Sequence, residues 1–131
     1  MTTTAAAAGT RRHTGTYPAE PRQVGRARAA LAGWLGGGPQ ADEAILVASE
    51  FATNSVLHSA SRDGGAFTLR AEVRQDHLRI EVEDRGGPWR DGLRDDGRPH
   101  GFDVVTAIAG TGNWGINGDG RGRVAWARLG G

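Results

Sequence analysis

One segment constrains the fold more than any other. Between Asp42 and His58, the residues Ala44, Ile45, Leu46, Val47, Ala48, Phe51 and Ala52 are apolar nearly all round a helical projection. A helix of that kind is buried on most sides, so the rest of the chain must be built around it, with Asp42 as its expected cap. Its polar residues then need a reason. Glu50, Asn54 and His58 fall at i, i+4 and i+8, which stacks them along one stripe at roughly 6 Å per step. Left without partners in a core, each would cost about 1–3 kcal/mol of desolvation. Two accounts stay open on spacing alone: a solvated edge or internal hydrogen-bonded ladder, and a binding site.

The material available to cover that helix is small. Ala supplies 20 of the 131 residues, while Leu, Ile, Val and Phe together supply 23. A single domain of this length with so thin a core leans on a partner subunit or a ligand. The net charge of +1 lacks the charge excess of a disordered chain. There is no cysteine, which excludes a disulfide scaffold, thiol catalysis and Cys-ligated metal. All 16 basic residues are Arg and none is Lys, so no GxxxxGK[ST] phosphate loop exists. The arginines are spread among 15 acidic residues rather than gathered in a stripe, which disfavours nucleic-acid binding. No apolar run reaches the ~20 residues of a membrane span. The opening Thr and Ala residues followed by Arg11-Arg12 reverse the order of a signal peptide, so a cytoplasmic protein with no membrane contact is expected.

Periodicity supplies the other elements. Residues 1–11 are expected to be a disordered tail, and 12–131 a single domain that opens with a short strand around Arg12 to Tyr17. From Pro21 to Trp34, Val24, Ala27, Leu31, Trp34 and Leu35 recur at spacings of three and four, an amphipathic helix ended by Gly36-Gly37-Gly38-Pro39. Phe67 to Arg74 and Leu78 to Glu83 alternate with period two around Gln75-Asp76-His77, which predicts a hairpin. Residues 85–101 are rich in Gly, Pro and charge, a mobile loop. Phe102 to Ala109 reads as a short helix stopped at Gly110, and Asn113 to Asn117 and Val124 to Leu129 as two last strands. The expected class is α+β: a two-layer sandwich whose mixed, mostly antiparallel sheet carries helices on one face.

Two further segments could carry chemistry. Glu83-Asp84-Arg85-Gly86-Gly87-Pro88 ends a strand with carboxylates and passes at once into glycines. That arrangement serves close approach to a flat ligand, or is an ordinary strand exit. Gly97-Arg98-Pro99-His100-Gly101 opens the helix at Phe102, where free N–H groups and the Arg98 and His100 cations suit an anion, or where a glycine simply caps. The GxGxxG match from Gly110 to Gly115 follows a helix and leads into a strand, the reverse of a dinucleotide turn. The four His never fall at i, i+4 with a Glu partner, which argues against a zinc hydrolase site.

Taken in order, these segments resemble a known family. Leu46 to Ser59, with Glu50, Asn54 and His58, looks like the N-box of the GHKL (Bergerat-fold) ATPases, and more narrowly that of bacterial anti-sigma-factor serine kinases. Glu83 to Pro88 resembles their first glycine box, and Pro99-His100-Gly101-Phe102-Asp103-Val104-Val105 their second. Trp114-Gly115 and Gly122 to Leu129 resemble their last two strands. The likeness covers roughly residues 12 to 129. It implies a histidine-kinase-like ATPase domain that binds ATP and Mg²⁺, the metal held by Asn54. By the same resemblance Glu50 is the general base, Asp84 accepts from the adenine amino group, and Gly86 and Gly87 make room for the ring. Arg98, His100 and Gly101 lie against the phosphates, the 89–100 segment is an ATP lid, and His58 is near the nucleotide. It further implies binding to a sigma factor, phosphorylation of a serine on an anti-sigma antagonist, and a homodimer formed through the first helix and the N-terminal strand. Two positions depart from the pattern: Pro88 stands near an expected third glycine, and Val124 where the family often has Thr. Those departures motivate the alternative of a non-catalytic regulatory module with weak or no nucleotide binding.

Overall fold

The computed structural model describes residues 10–58, 64–85, 102–118 and 122–130, the side chain of His58 excepted. In chain order the elements are β1 (Arg11–Pro18), α1 (Pro21–Leu35), α2 (Pro39–His58), β2 (Ala66–Val73), β3 (Leu78–Asp84), α3 (Phe102–Ala109), β4 (Trp114–Gly118) and β5 (Arg123–Leu129). Local chemistry sets their ends. Pro21 occupies the first turn of α1, where its missing N–H is not needed, and Gly36 closes that helix in the left-handed region at φ 86° with its N–H on the Ala32 carbonyl at 3.0 Å. Helix α2 starts at Pro39, three residues before the expected cap. Asp42 instead lies in its first turn, with its N–H on the Gly38 carbonyl at 3.0 Å, where a carboxylate still complements the helix dipole.

The five strands form one sheet in the order β1-β2-β3-β5-β4. The expected mixed sheet is antiparallel at each of its four pairings. The reason is connectivity: β2–β3 and β4–β5 are hairpins, and β5 then joins β3 in the opposite sense. Register sets the inward rows. Leu69, Val82, Ala125 and Ile116 lie side by side, as do Ala71, Ile80, Ala127 and Trp114. Against this face pack the buried Val24, Ala27 and Leu31 of α1 and Ala44, Val47, Ala48, Phe51 and Ala52 of α2. Alanine facing alanine lets the long helix sit close to the sheet, and this is how a chain poor in large apolar side chains still closes a core. Burial of α2 is incomplete: Leu46 is 44% exposed and Leu57 47%, on the side turned from the sheet.

The opposite face of the sheet is charged. Arg70 bridges Glu81 at 3.0 Å and Glu83 at 2.8 Å, Arg12 and Arg74 hold Glu72, and Arg79 holds Glu81 while lying 4.9 Å over the Trp126 ring. Arginines here are matched by acids on the neighbouring strand or two residues away along the chain, each pair contributing roughly 0.2–1 kcal/mol.

The β4–β5 end of the sheet depends on one glycine. Gly118 has φ 124°, and a Cβ there would run into the Gly122 carbonyl oxygen and come within 2.7 Å of the Arg123 Cα. Gly118→Ala is expected to cost at least about 1–3 kcal/mol, read as a lower urea midpoint. An unchanged midpoint would show that this turn relaxes freely.

Candidate functional site

The polar stripe of α2 has an explicit accommodation. Asn54 is only 4% exposed, and its Nδ2 donates to the Glu50 carbonyl oxygen one turn back at 2.8 Å. That bond engages one of the two amide N–H donors within the helix. Glu50 lies one turn earlier on the same stripe, half-buried, and burial raises its carboxyl above the ordinary glutamate range.

The next residue links this helix to the sheet. Ser55 is buried and its Oγ donates to Asp84 Oδ2 at 2.5 Å. The Asp84 side chain is 2% exposed and sits at the last position of β3. The other carboxylate oxygen faces Arg123, whose Nη2 is 3.5 Å from Oδ1 and whose side chain is 9% exposed. Burial pulls the Arg123 guanidinium down to about 10, against the opposing pull of Asp84. It therefore remains a cation at neutral pH. Register explains the pair: Leu78 opposite Leu129 at one end of β3 and β5 forces Asp84 opposite Arg123 at the other, both on the helix-covered face.

A chain of aromatic rings fixes the start of α3 beside α2. Phe102, the first residue of α3, meets Phe51 of α2 edge-on at 5.5 Å and 78°, and Trp114 of β4 at 5.1 Å and 80°. Trp114 Nε1 donates to Thr106 Oγ1 at 2.8 Å, which in turn donates to the Phe102 carbonyl at 3.1 Å. The N-terminus of α3 is thereby anchored against the same helix that carries Glu50 and Asn54.

Of the residues singled out in the sequence, Glu50 and Asn54 share the α2 stripe, and the Ser55 bond brings Asp84 to it. His58 is the last residue of α2, one turn beyond Asn54; its side chain lies outside the described residues, as do Gly86, Gly87, Pro88, Arg98, His100, Gly101 and the 89–100 segment. Val124, where the family often has Thr, pairs with Glu83 on the face away from the helices, and the residue across from Asp84 is Arg123. The sequence motifs point to neither Arg123 nor Ser55. A signal for Arg123 was present: in RVAWARL it shares the parity of Ala125, Ala127 and Leu129, a charge on the apolar side of an alternating strand. Among the described residues no three His, Asp or Glu come together to hold a metal ion, and no helix is long and apolar enough to cross a membrane.

Comparison with known proteins adds two observations. A family model described as a histidine kinase-like ATPase domain matches residues 17–117. Among solved structures, the chain is similar to that of the RsbU and RsbW domains of Rv1364c from Mycobacterium tuberculosis, with a TM-score of 0.71 and 22% identity over 91% of its length. It spans 32% of that longer chain, and the likeness is one of fold. No curated protein matches.

Proposed function

The chain belongs to the histidine kinase-like ATPase domain family, and from that premise we propose that it is an anti-sigma-type protein kinase. It binds Mg·ATP between the end of α2 and the end of β3, associates with a sigma factor or similar regulator, and phosphorylates a serine on an antagonist protein. One observation carries this reading. The 2.5 Å bond from Ser55 to Asp84 ties the helical stripe of Glu50 and Asn54 to the carboxylate at the strand end. Had these faced different sides of the molecule, no single nucleotide could engage both.

The residues present fit the ligand. Asn54 offers a hard oxygen donor whose orientation is set by its own helix, and Mg²⁺ is commonly held by one or two protein oxygens plus phosphates and water rather than by a protein cage. Asp84, an acceptor held by Ser55, suits an exocyclic amine. Bound Mg²⁺ would neutralise phosphate charge during transfer. Glu50 takes the proton from the attacking serine hydroxyl, and its raised pKa makes it a better base than a solvated glutamate. The serine oxygen then bonds to the γ-phosphorus as the bond to the bridging oxygen breaks and ADP leaves. The identity of the partners rests on the motif resemblance and on the likeness to a chain that includes an RsbW domain.

Titration calorimetry with Mg·ATP tests the binding half of this reading. Wild type is expected to release heat, and Asn54→Ala to bind at least about ten-fold more weakly, with little remaining dependence on Mg²⁺, as befits loss of one charge-assisted contact. No heat from wild type would overturn the kinase reading in favour of a regulatory module that works by surface contacts alone.

A further inference from the structure

We propose that the outward face of α2, with the groove it shares with α1, docks the serine-bearing substrate protein. An apolar side chain of that protein fills the groove, and a neighbouring carboxylate meets Arg28. Its chain then passes over Glu50. This rests on the reading above, in which Glu50 takes the proton of that serine.

The large apolar side chains left exposed among the described residues are Leu46, Leu57 and Val104. Single exposed leucines are ordinary, but two of these belong to one helix and to one face of it. Leu46 stands four residues before Glu50 and Leu57 seven after it, spacings of about one helical turn and two. The three side chains therefore leave α2 on the same side, over a span of roughly 16 Å. The half-buried carboxylate lies between the leucines.

Leu57 also borders a cavity of about 240 Å³ between the two helices. Pro21, Val24, Gly25 and Arg28 of α1 line it opposite Val56 and Leu57 of α2. Gly25 keeps it open. A Cβ there would meet nothing within 4 Å, so no packing demand explains a glycine in the middle of a helix that it weakens. The space is below the roughly 300–1,000 Å³ of a small-molecule pocket and suits one inserted side chain. Charge marks the kind of partner. Helix α1 carries Arg22, Arg26 and Arg28 and no acidic residue. Arg28, at the groove, makes no ion pair among the described residues, whereas arginines of the sheet face are held by Glu72, Glu81 and Glu83. A carboxylate brought by the partner supplies the missing charge. A regulator that is only bound has no use for contacts on both sides of the base. A substrate does, because docking energy far from the reacting atoms then fixes where its serine lies.

Steady-state transfer from Mg·ATP to purified antagonist proteins of the same genome tests this, alongside a short peptide that holds only the acceptor serine. Gly25→Leu fills the groove with a good helix former, so it should melt no lower than wild type. For the protein substrate its KM is expected to rise about ten-fold or more, with kcat and Mg·ATP affinity unchanged, as when uniform binding is lost. Leu46→Ser, on the other side of Glu50, and Arg28→Glu should raise KM as well. The peptide does not reach the groove, so Gly25→Leu and wild type should treat it alike. Gly33→Leu makes the same addition at another open position of α1, outside the groove, and should leave KM as it is. An unchanged KM in Gly25→Leu overturns the proposal. So does an equal loss with the peptide or in Gly33→Leu, which would place the effect in the fold rather than in docking. So does loss of sigma-factor binding with transfer intact, which would give the groove to the other partner. Wild type that binds Mg·ATP but transfers phosphate to no antagonist would bring down the kinase reading, and the docking face with it. Full transfer with indifferent variants would bring down the docking face alone.

Discussion

Glu50→Gln is expected to lower phosphotransfer to a serine by about 10²–10⁴-fold, the usual contribution of a positioned general base, while Mg·ATP still binds. The substitution keeps the shape of the side chain and removes only its ability to take a proton. Asn54 keeps its hydrogen bond in the variant, because that bond runs to the backbone carbonyl of residue 50. The wild-type pH profile should carry a matching signature. Burial raises the Glu50 carboxyl, so the rate climbs with pH through a value above that of an ordinary glutamate, and the variant loses this limb. Stability runs the other way. A folded-state pKa raised above the unfolded one contributes stability that is full below the unfolded value and lost as pH rises through the folded one. Once ionised, Glu50 is therefore a burden on the fold, and above its folded pKa Glu50→Gln should melt no lower than wild type. Full transfer activity in a correctly folded variant would remove Glu50 from the mechanism.

Phe51→Ala should cost about 3–5 kcal/mol, the range for deleting a buried phenylalanine. Phe51 is 1% exposed and is one of the few large side chains in a core otherwise rich in alanine. The substitution also loses the edge-on contact with Phe102. Against a typical total stability of about 5–15 kcal/mol, the variant would stand near the edge of unfolding. The effect should also reach the site, because Phe51 is the surface against which Phe102 holds the start of α3. Urea unfolding followed by tryptophan fluorescence measures it, with Trp114 reporting on the Phe102 contact. A midpoint close to wild type would mean that the ring does not carry the helix–helix packing.

Much of this architecture could be read before any coordinates. The all-round apolar pattern of 42–58 marks a central helix, and the stripe of Glu50 and Asn54 is visible in spacing alone. The hairpin about Gln75-Asp76-His77 follows from alternation, and the ordered motifs point to the fold family. What could not be read is long-range register. β3 and β5 are separated by α3 and β4, so no turn fixes their alignment, and a slip of one residue exchanges the two faces of a strand. That is why the buried Ser55–Asp84–Arg123 cluster emerges only from the pairing of Leu78 with Leu129 at the far end. The early start of α2 is a smaller case: Pro39 at the first helical position is as good an opening as an acidic cap at Asp42.

The central claim is that one nucleotide spans the distance from Asp84 to Asn54. A crystal structure of the protein with a non-hydrolysable ATP analogue and Mg²⁺ measures this directly. The account predicts the adenine amino group on the Asp84 carboxylate and the metal on Asn54 Oδ1. A nucleotide seated elsewhere, or a metal without Asn54 in its coordination sphere, would contradict it.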